Sequence, residues 1–192
     1  HIRRYEISFP QEELQQVAEN RRATLVKEGM QFDSDVLNQE RQRVSKSMRN
    51  HGCFYFDEEF IRFVADSTKG KKQVDVKMCL QDFYYQLSPE EQEKIFRHYT
   101  ISRVHFHMDY EVDRIPEGAK LHTSIVDGYE FTWVGDKLLR EKVLIRNCPI
   151  RPGDEYNESF VDHAYSNLNR LAPVKYVDIS FDPISATELD CH

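Results

Sequence analysis

Tyr5, Ile7 and Phe9 alternate with Glu6 and Ser8, a pattern that predicts a half-buried strand ended by Pro10. A helical stretch follows from Gln11, with Leu14, Val17, Ala18, Thr24 and Leu25 as its apolar positions, and Gly29 breaks it. Asp33 or Ser34 offers an oxygen to cap a second helix, whose stripe is Val36, Leu37, Val44 and Met48. Gly52 is placed to end that helix in the left-handed region. Phe54 to Asp66 then reads as an aromatic, β-branched strand, with Phe54, Phe56, Ile61 and Phe63 inward. After the polar turn 67–72, Val74, Val76 and Met78 alternate with Asp75, Lys77 and Cys79 in a returning strand, in a register that sets Cys79 near Phe60.

Residues 82–97 are polar and read as a connector, with Ser88-Pro89-Glu90-Glu91 opening a short helix. The pattern then starts again. Ile101, Val104, Phe106 and Met108 point one way along a strand, and Arg103, His105 and His107 the other. From about 109 to 136 lies an insertion with turn signals at Pro116-Glu117-Gly118 and Asp127-Gly128 and a strand through Tyr129, Phe131 and Trp133. These three aromatics are expected to fill the core, leaving Glu130 and Thr132 in solvent. Helices are expected from Leu138 to Asn147 and from Asn157 to Leu171, and a strand from Val174 to Phe181. Leu189 to His192 begins a further strand that the sequence cuts off.

Two segments match each other. Gly29-Met30-Gln31-Phe32-Asp33 and Gly153-Asp154-Glu155-Tyr156-Asn157 both give a glycine, an aromatic and a capping Asp or Asn. The helices they open end in Met48-Arg49-Asn50-His51-Gly52-Cys53-Phe54 and Leu168-Asn169-Arg170-Leu171-Ala172-Pro173-Val174. The spacing between copies changes by four residues across the helix, about one helical turn, so the buried face keeps its direction. A repeated strand–helix–helix–strand–strand order implies tandem modules of α+β class.

The G-x-x-[FY]-[DN] motif, the run Glu40-Arg41-Gln42-Arg43-Val44 to Phe56, and Leu138-Leu139-Arg140 with Leu168 to Leu171 together resemble the POTRA domains of the BamA/TamA outer-membrane assembly superfamily. Within it they are most similar to the Bacteroidetes TamL-like branch. The resemblance covers the chain and implies two βααββ modules, each a three-stranded mixed sheet with two helices on one face. The first module spans 1–81, a linker 82–97, and the second module 98–192, its last strand truncated. Ala172 in place of a helix-ending glycine, and Pro173-Val174 in place of an aromatic, depart from the first copy.

The resemblance also implies a periplasmic, non-enzymatic scaffold that binds clients by adding a strand to a sheet edge. The edge residues expected are Phe54, Phe56, Phe60, Ile61 and Phe63 in the first module, and Lys175, Tyr176, Val177, Ile179 and Phe181 in the second. Implied partners are the protein's own outer-membrane barrel, unfolded outer-membrane proteins and an accessory periplasmic protein, with no cofactor.

Composition trims the alternatives. With 40% hydrophobic and 12% aromatic residues among 192, the chain is built to fold. A net charge of −7 argues against phosphate-backbone binding. Cys53, Cys79, Cys148 and Cys191 show no zinc spacing. No phosphate loop or nucleophile elbow occurs. Asp57-Glu58-Glu59 and Glu90-Glu91 read as solvated or capping acids. His105 and His107 share one strand face, continued by Asp109, and the rival function is a metal-dependent hydrolase with these three as ligands.

Overall fold

A computed structural model of the chain describes residues 1–68, 72–108 and 117–192. The chain divides into two compact units, His1–Arg97 and His98–His192.

In the first unit, strand β1 (Ile2–Ser8) leads to helices α1 (Glu12–Ala18) and α2 (Ser34–Arg49), strands β2 (Ile61–Asp66) and β3 (Val74–Leu80), and helix α3 (Pro89–Phe96). The sheet order is β1-β3-β2, with β1 parallel and β2 antiparallel to β3. Leu14 and Ala18 of α1 and Val44 and Met48 of α2 pack with Ile61, Met78 and Leu80 of the sheet, all essentially inaccessible. Burying each such aliphatic side chain stabilises the fold by roughly 1.5–3 kcal/mol.

The second unit is built from β4 (Thr100–Met108), the hairpin β5 (Leu121–Val126) and β6 (Tyr129–Val134), helices α4 (Glu141–Asn147) and α5 (Glu158–Leu168), and strands β7 (Phe181–Pro183) and β8 (Glu188–Cys191). Its order is β5-β6-β4-β8-β7. The three strands β4, β8 and β7 repeat the parallel and antiparallel pairings of β1, β3 and β2. The inserted hairpin turns at Asp127-Gly128, both at positive φ, and adds β6 parallel to β4. The α+β class is thus as expected, and the insertion widens the second sheet from three strands to five.

The repeat holds in backbone detail. Each unit has a β-bulge near the start of the main pairing, between Ile2 and Arg4 and between Ile101 and Arg103. At each bulge the start of the strand is tied to the glycine motif. Ile2 donates to the Met30 carbonyl at 2.8 Å and Gly29 donates back to Ile2 at 2.8 Å. Ile101 donates to Asp154 at 2.8 Å and Gly153 donates back to Ile101 at 2.6 Å. Both glycines sit at φ +87°, a region that disfavours any Cβ. Asp33 then caps α2 through Asp35 N–H, and Asn157 caps α5 through Phe160 N–H.

Several expectations need correction. Helix α1 stops at Ala18 because Asn20 turns the chain, accepting from Arg22 through its side chain and from Ala23 and Thr24 through its carbonyl. Residues 82–97 are no free connector: Tyr84 and Ile95 are buried in the first unit's core, and Phe96 packs on Phe56 and Tyr84. The hairpin sets Cys79 opposite Arg62 instead of near Phe60. Helices α4 and α5 are shorter than expected, α5 ending at Leu168. The last strand is formed over Glu188–Cys191. Among the described residues no disulfide joins Cys53, Cys79, Cys148 or Cys191. Among the described residues, no helix is long and apolar enough to cross a membrane.

Candidate functional site

Two features carry chemistry that the packing of the units does not use up: the sheet edges and a cluster of imidazoles.

Among the described residues, β2 of the first unit pairs with a strand, β3, on one side, which makes its other side a sheet edge. The expected edge residues divide there. Ile61 and Phe63 lie in β2, Ile61 fully buried and Phe63 against the core. Phe54, Phe56 and Phe60 are not in a strand. After Gly52 at φ +88° the chain turns, Phe56 N–H bonding back to Cys53 at 3.0 Å, and Phe56 is 1% exposed. Asp57 accepts from Glu59 N–H at 2.8 Å and opens a single 3-10 turn that holds Phe60. The aromatic pattern was therefore a plug beneath helix α2 and not an alternating strand. Beyond Ile61 the edge runs through Arg62, Val64 and Ala65, and Val64 is 45% exposed.

In the second unit β7 is the matching edge, and Phe181 lies in it. Ser180 exchanges two 3.0 Å backbone bonds with His192. Lys175, Tyr176, Val177 and Ile179 precede the pairing and are not in a strand. Ile179 is held instead by the Tyr165 hydroxyl of α5, which accepts from its N–H at 2.9 Å. Tyr176 is exposed. At the far side of the same sheet, β5 is the other edge and carries Leu121 and Ile125 outward, Ile125 75% exposed.

The second feature lies on the face of the second sheet opposite Phe106 and Phe131, which stack at 5.1 Å within the hydrophobic layer. His105 and His107 share that face, their rings 3.9 Å apart. His192 joins them from the neighbouring strand, because the parallel register Val104↔Cys191 sets His105 beside His192. His107 Nε2 and His192 Nδ1 are 3.1 Å apart, and one ring nitrogen from each of the three lies within 4.8 Å of the others. Burial, and then the neighbouring imidazoles, pull the His107 pKa down to about 4. His105 is lowered as well, by burial first, against the opposing pull of Glu130. Asp109, the third ligand expected from the sequence, lies outside the described residues. His192 was missed because its pairing with β4 spans most of the second unit.

Around the imidazoles, His105 Nε2 meets the Thr132 hydroxyl at 2.5 Å, and its Nδ1 is 3.8 Å from Glu130. Thr132, expected in solvent, is 4% exposed, covered on this face by its histidine partner. His192 Nε2 is 3.6 Å from Asp182. Arg103 pairs with the buried Asp190. Of the aromatics in the insertion, Tyr129 and Phe131 are buried, whereas Trp133 lies between His122, stacked at 5.4 Å, and the Lys137 ammonium at 3.7 Å. The acids at Asp57 and Glu91 serve as caps, Glu91 closing a reciprocal pair with Ser88.

No family model matches the chain, and no curated protein matches it. Solved structures do. A crystal structure of BamA from Haemophilus ducreyi lacking POTRA domains 1–3 is similar over 99% of this chain, with 12% identity and a TM-score of 0.64. This chain covers 28% of that one. POTRA domains 3–5 of Haemophilus influenzae BamA match over 99% of this chain and 94% of theirs, at 12% identity and a TM-score of 0.32. The N-terminal domain of Omp85 from Thermosynechococcus elongatus gives 12% identity, the same two coverages and 0.30. At such identity the likeness to the BamA structure shows the fold alone, helices on a mixed sheet, an arrangement present here twice.

Proposed function

We propose that this chain is the periplasmic arm of an outer-membrane β-barrel assembly or translocation factor, a scaffold without catalytic activity of its own. It binds client polypeptides as an added strand at the edges β2 and β7. The observation that carries the reading is the topology: each unit repeats the same mixed sheet and leaves the strand after the helices on the outside. Main-chain hydrogen bonds along such an edge recognise any extended chain, which suits a factor handling many unfolded clients. The clients are unfolded outer-membrane proteins, and the other partners are the protein's own barrel and an accessory periplasmic protein. The Gly29 and Gly153 motifs and the run from Glu40 to Phe56 support placement near the TamL-like branch.

The test compares two peptides of one barrel-strand sequence, one unmodified and one N-methylated at every second residue along a single edge. Strand addition predicts at least a tenfold loss of affinity on methylation, measured by fluorescence anisotropy, and near-equal binding of a scrambled sequence. Equal binding of the methylated and unmodified peptides would rule strand addition out and leave side-chain docking.

A further inference from the structure

The repeat provides an internal comparison for the histidine cluster. Aligning the two bulges sets Ile2 with Ile101 and Arg4 with Arg103, and hence Glu6 with His105 and Ser8 with His107. The partner strands align Asp75 with Asp190 and Lys77 with His192 by the same registers. In the first unit these positions hold an ordinary surface ion pair, Lys77 to Glu6 at 3.5 Å. The fold therefore needs nothing more than a polar, solvent-facing pair at this place. The second unit puts three imidazoles there instead.

We propose that His105, His107 and His192 form a binding site for one borderline divalent transition-metal ion, with Zn2+ as its representative. The argument is geometric. Nitrogens bound to one tetrahedral Zn2+ at about 2.0–2.1 Å lie roughly 3.3 Å from each other. His107 Nε2 and His192 Nδ1 already stand 3.1 Å apart, and all three nitrogens fall within 4.8 Å. Two of the rings come from β4, a central strand paired on both sides, and the third from His192, the residue after β8, whose backbone is tied to Ser180.

The surroundings fit an ion as well as the rings do. A ligating imidazole needs its second nitrogen protonated and turned toward an acceptor. His192 has the Asp182 carboxylate 3.6 Å from Nε2, on the side away from His107. His105 is flanked by Thr132 and Glu130. Binding takes the proton shared between His107 Nε2 and His192 Nδ1 off that contact and onto the other nitrogen of whichever ring carries it, a tautomer change and no net chemistry. Arg103, on the same face of β4, is paired with Asp190. Cys191, the residue before His192, is 3% exposed on the opposite face and contributes no ligand here. Three imidazole nitrogens suit Zn2+, Ni2+ or Cu2+ and not the oxygen-seeking Ca2+ or Mg2+.

The experiment is calorimetric titration of the 192-residue chain with ZnCl2, with CaCl2 as the contrast. One ion per chain is expected, with affinity reduced at least tenfold in His107→Gln and in His192→Gln. His122→Gln and Cys79→Ser, both outside the cluster, leave it unchanged. A triple variant, His105→Glu with His107→Ser and His192→Lys, carries the residues of the first unit at these positions. It is expected to keep its circular dichroism spectrum and lose binding. Should any variant fail to fold, ring 15N shifts of the unaltered chain decide: all three histidines move into the metal-bound range on adding Zn2+. No binding, unshifted ring nitrogens, or binding retained in the triple variant would each overturn the proposal.

Discussion

Glu40 is the residue on which the first unit's helical layer closes. Its side chain is fully inaccessible, yet it accepts from Thr24 Oγ1 at 2.8 Å, Leu25 N–H at 3.0 Å, and Arg43 Nε and Nη2 at 2.8 and 2.9 Å. Arg43 passes the connection on to the carbonyls of Val17 and Ala18 at the end of α1. Burial raises the Glu40 pKa, but the Arg43, Leu25 and Thr24 hydrogen bonds outweigh it and leave the group below its ordinary 4.5. Removing one partner of such a pair strands the other, so Glu40→Ala is expected to cost about 3–5 kcal/mol in urea unfolding. A cost under about 1 kcal/mol would show the pair to be incidental. Because the folded pKa is depressed, this contribution is fully present above about pH 4.5 and lost as pH falls through the folded value. Unfolding midpoints against pH should therefore fall less steeply in Glu40→Gln than in the parent. Gly153 gives a smaller and cleaner case. A Cβ there meets nothing within 4 Å, so Gly153→Ala is expected to cost only the roughly 1–2 kcal/mol of a left-handed backbone. A larger loss would mean that the backbone bonds of Ile101 break too. The glycine was legible in the sequence because its role is local. Thr24 and Leu25 reach Glu40 from 16 and 15 residues away, and no periodicity announces them.

At the scale of elements, the helices capped by Asp33, Ser88 and Asn157 were legible because a cap is a matter of two or three neighbouring residues. Edges were harder. Phe54 to Phe60 has strand-like composition, but Asp57 opens a turn and Phe56 fills the core, so the strand starts at Ile61. Composition cannot separate an aromatic plug from an aromatic strand. Lys175 to Ile179 failed for a different reason: a strand needs a partner, and partners are not written in the segment itself. The stretch 82–97 looked polar because only its inward positions, Tyr84 and Ile95, are buried. Its contribution can be measured. A fragment of residues 1–97 is expected to be more stable than 1–81 by several kcal/mol, at roughly 1.5–3 kcal/mol per buried side chain. Equal urea midpoints would mean that α3 rests on the core without supporting it.

The whole molecule is two copies of one plan, and the copies diverge where function is free to vary. The bulge, the glycine tie and the helix cap repeat. The hairpin β5–β6 and the three histidines do not. Each unit has its own buried residues, so residues 98–192 expressed alone are expected to give a dispersed amide spectrum. Collapsed, broadened signals would show that the second unit depends on the first. The central claim is that clients join these sheets as strands at β2 and β7. Its most direct test is amide hydrogen exchange of the whole chain with and without a saturating barrel-strand peptide. Strand addition predicts slowed exchange at alternate residues of Ile61–Asp66 and near Phe181–Pro183, while amides already paired inside the sheets keep their rates. Protection absent from both edges, or found only on the helices, would contradict it.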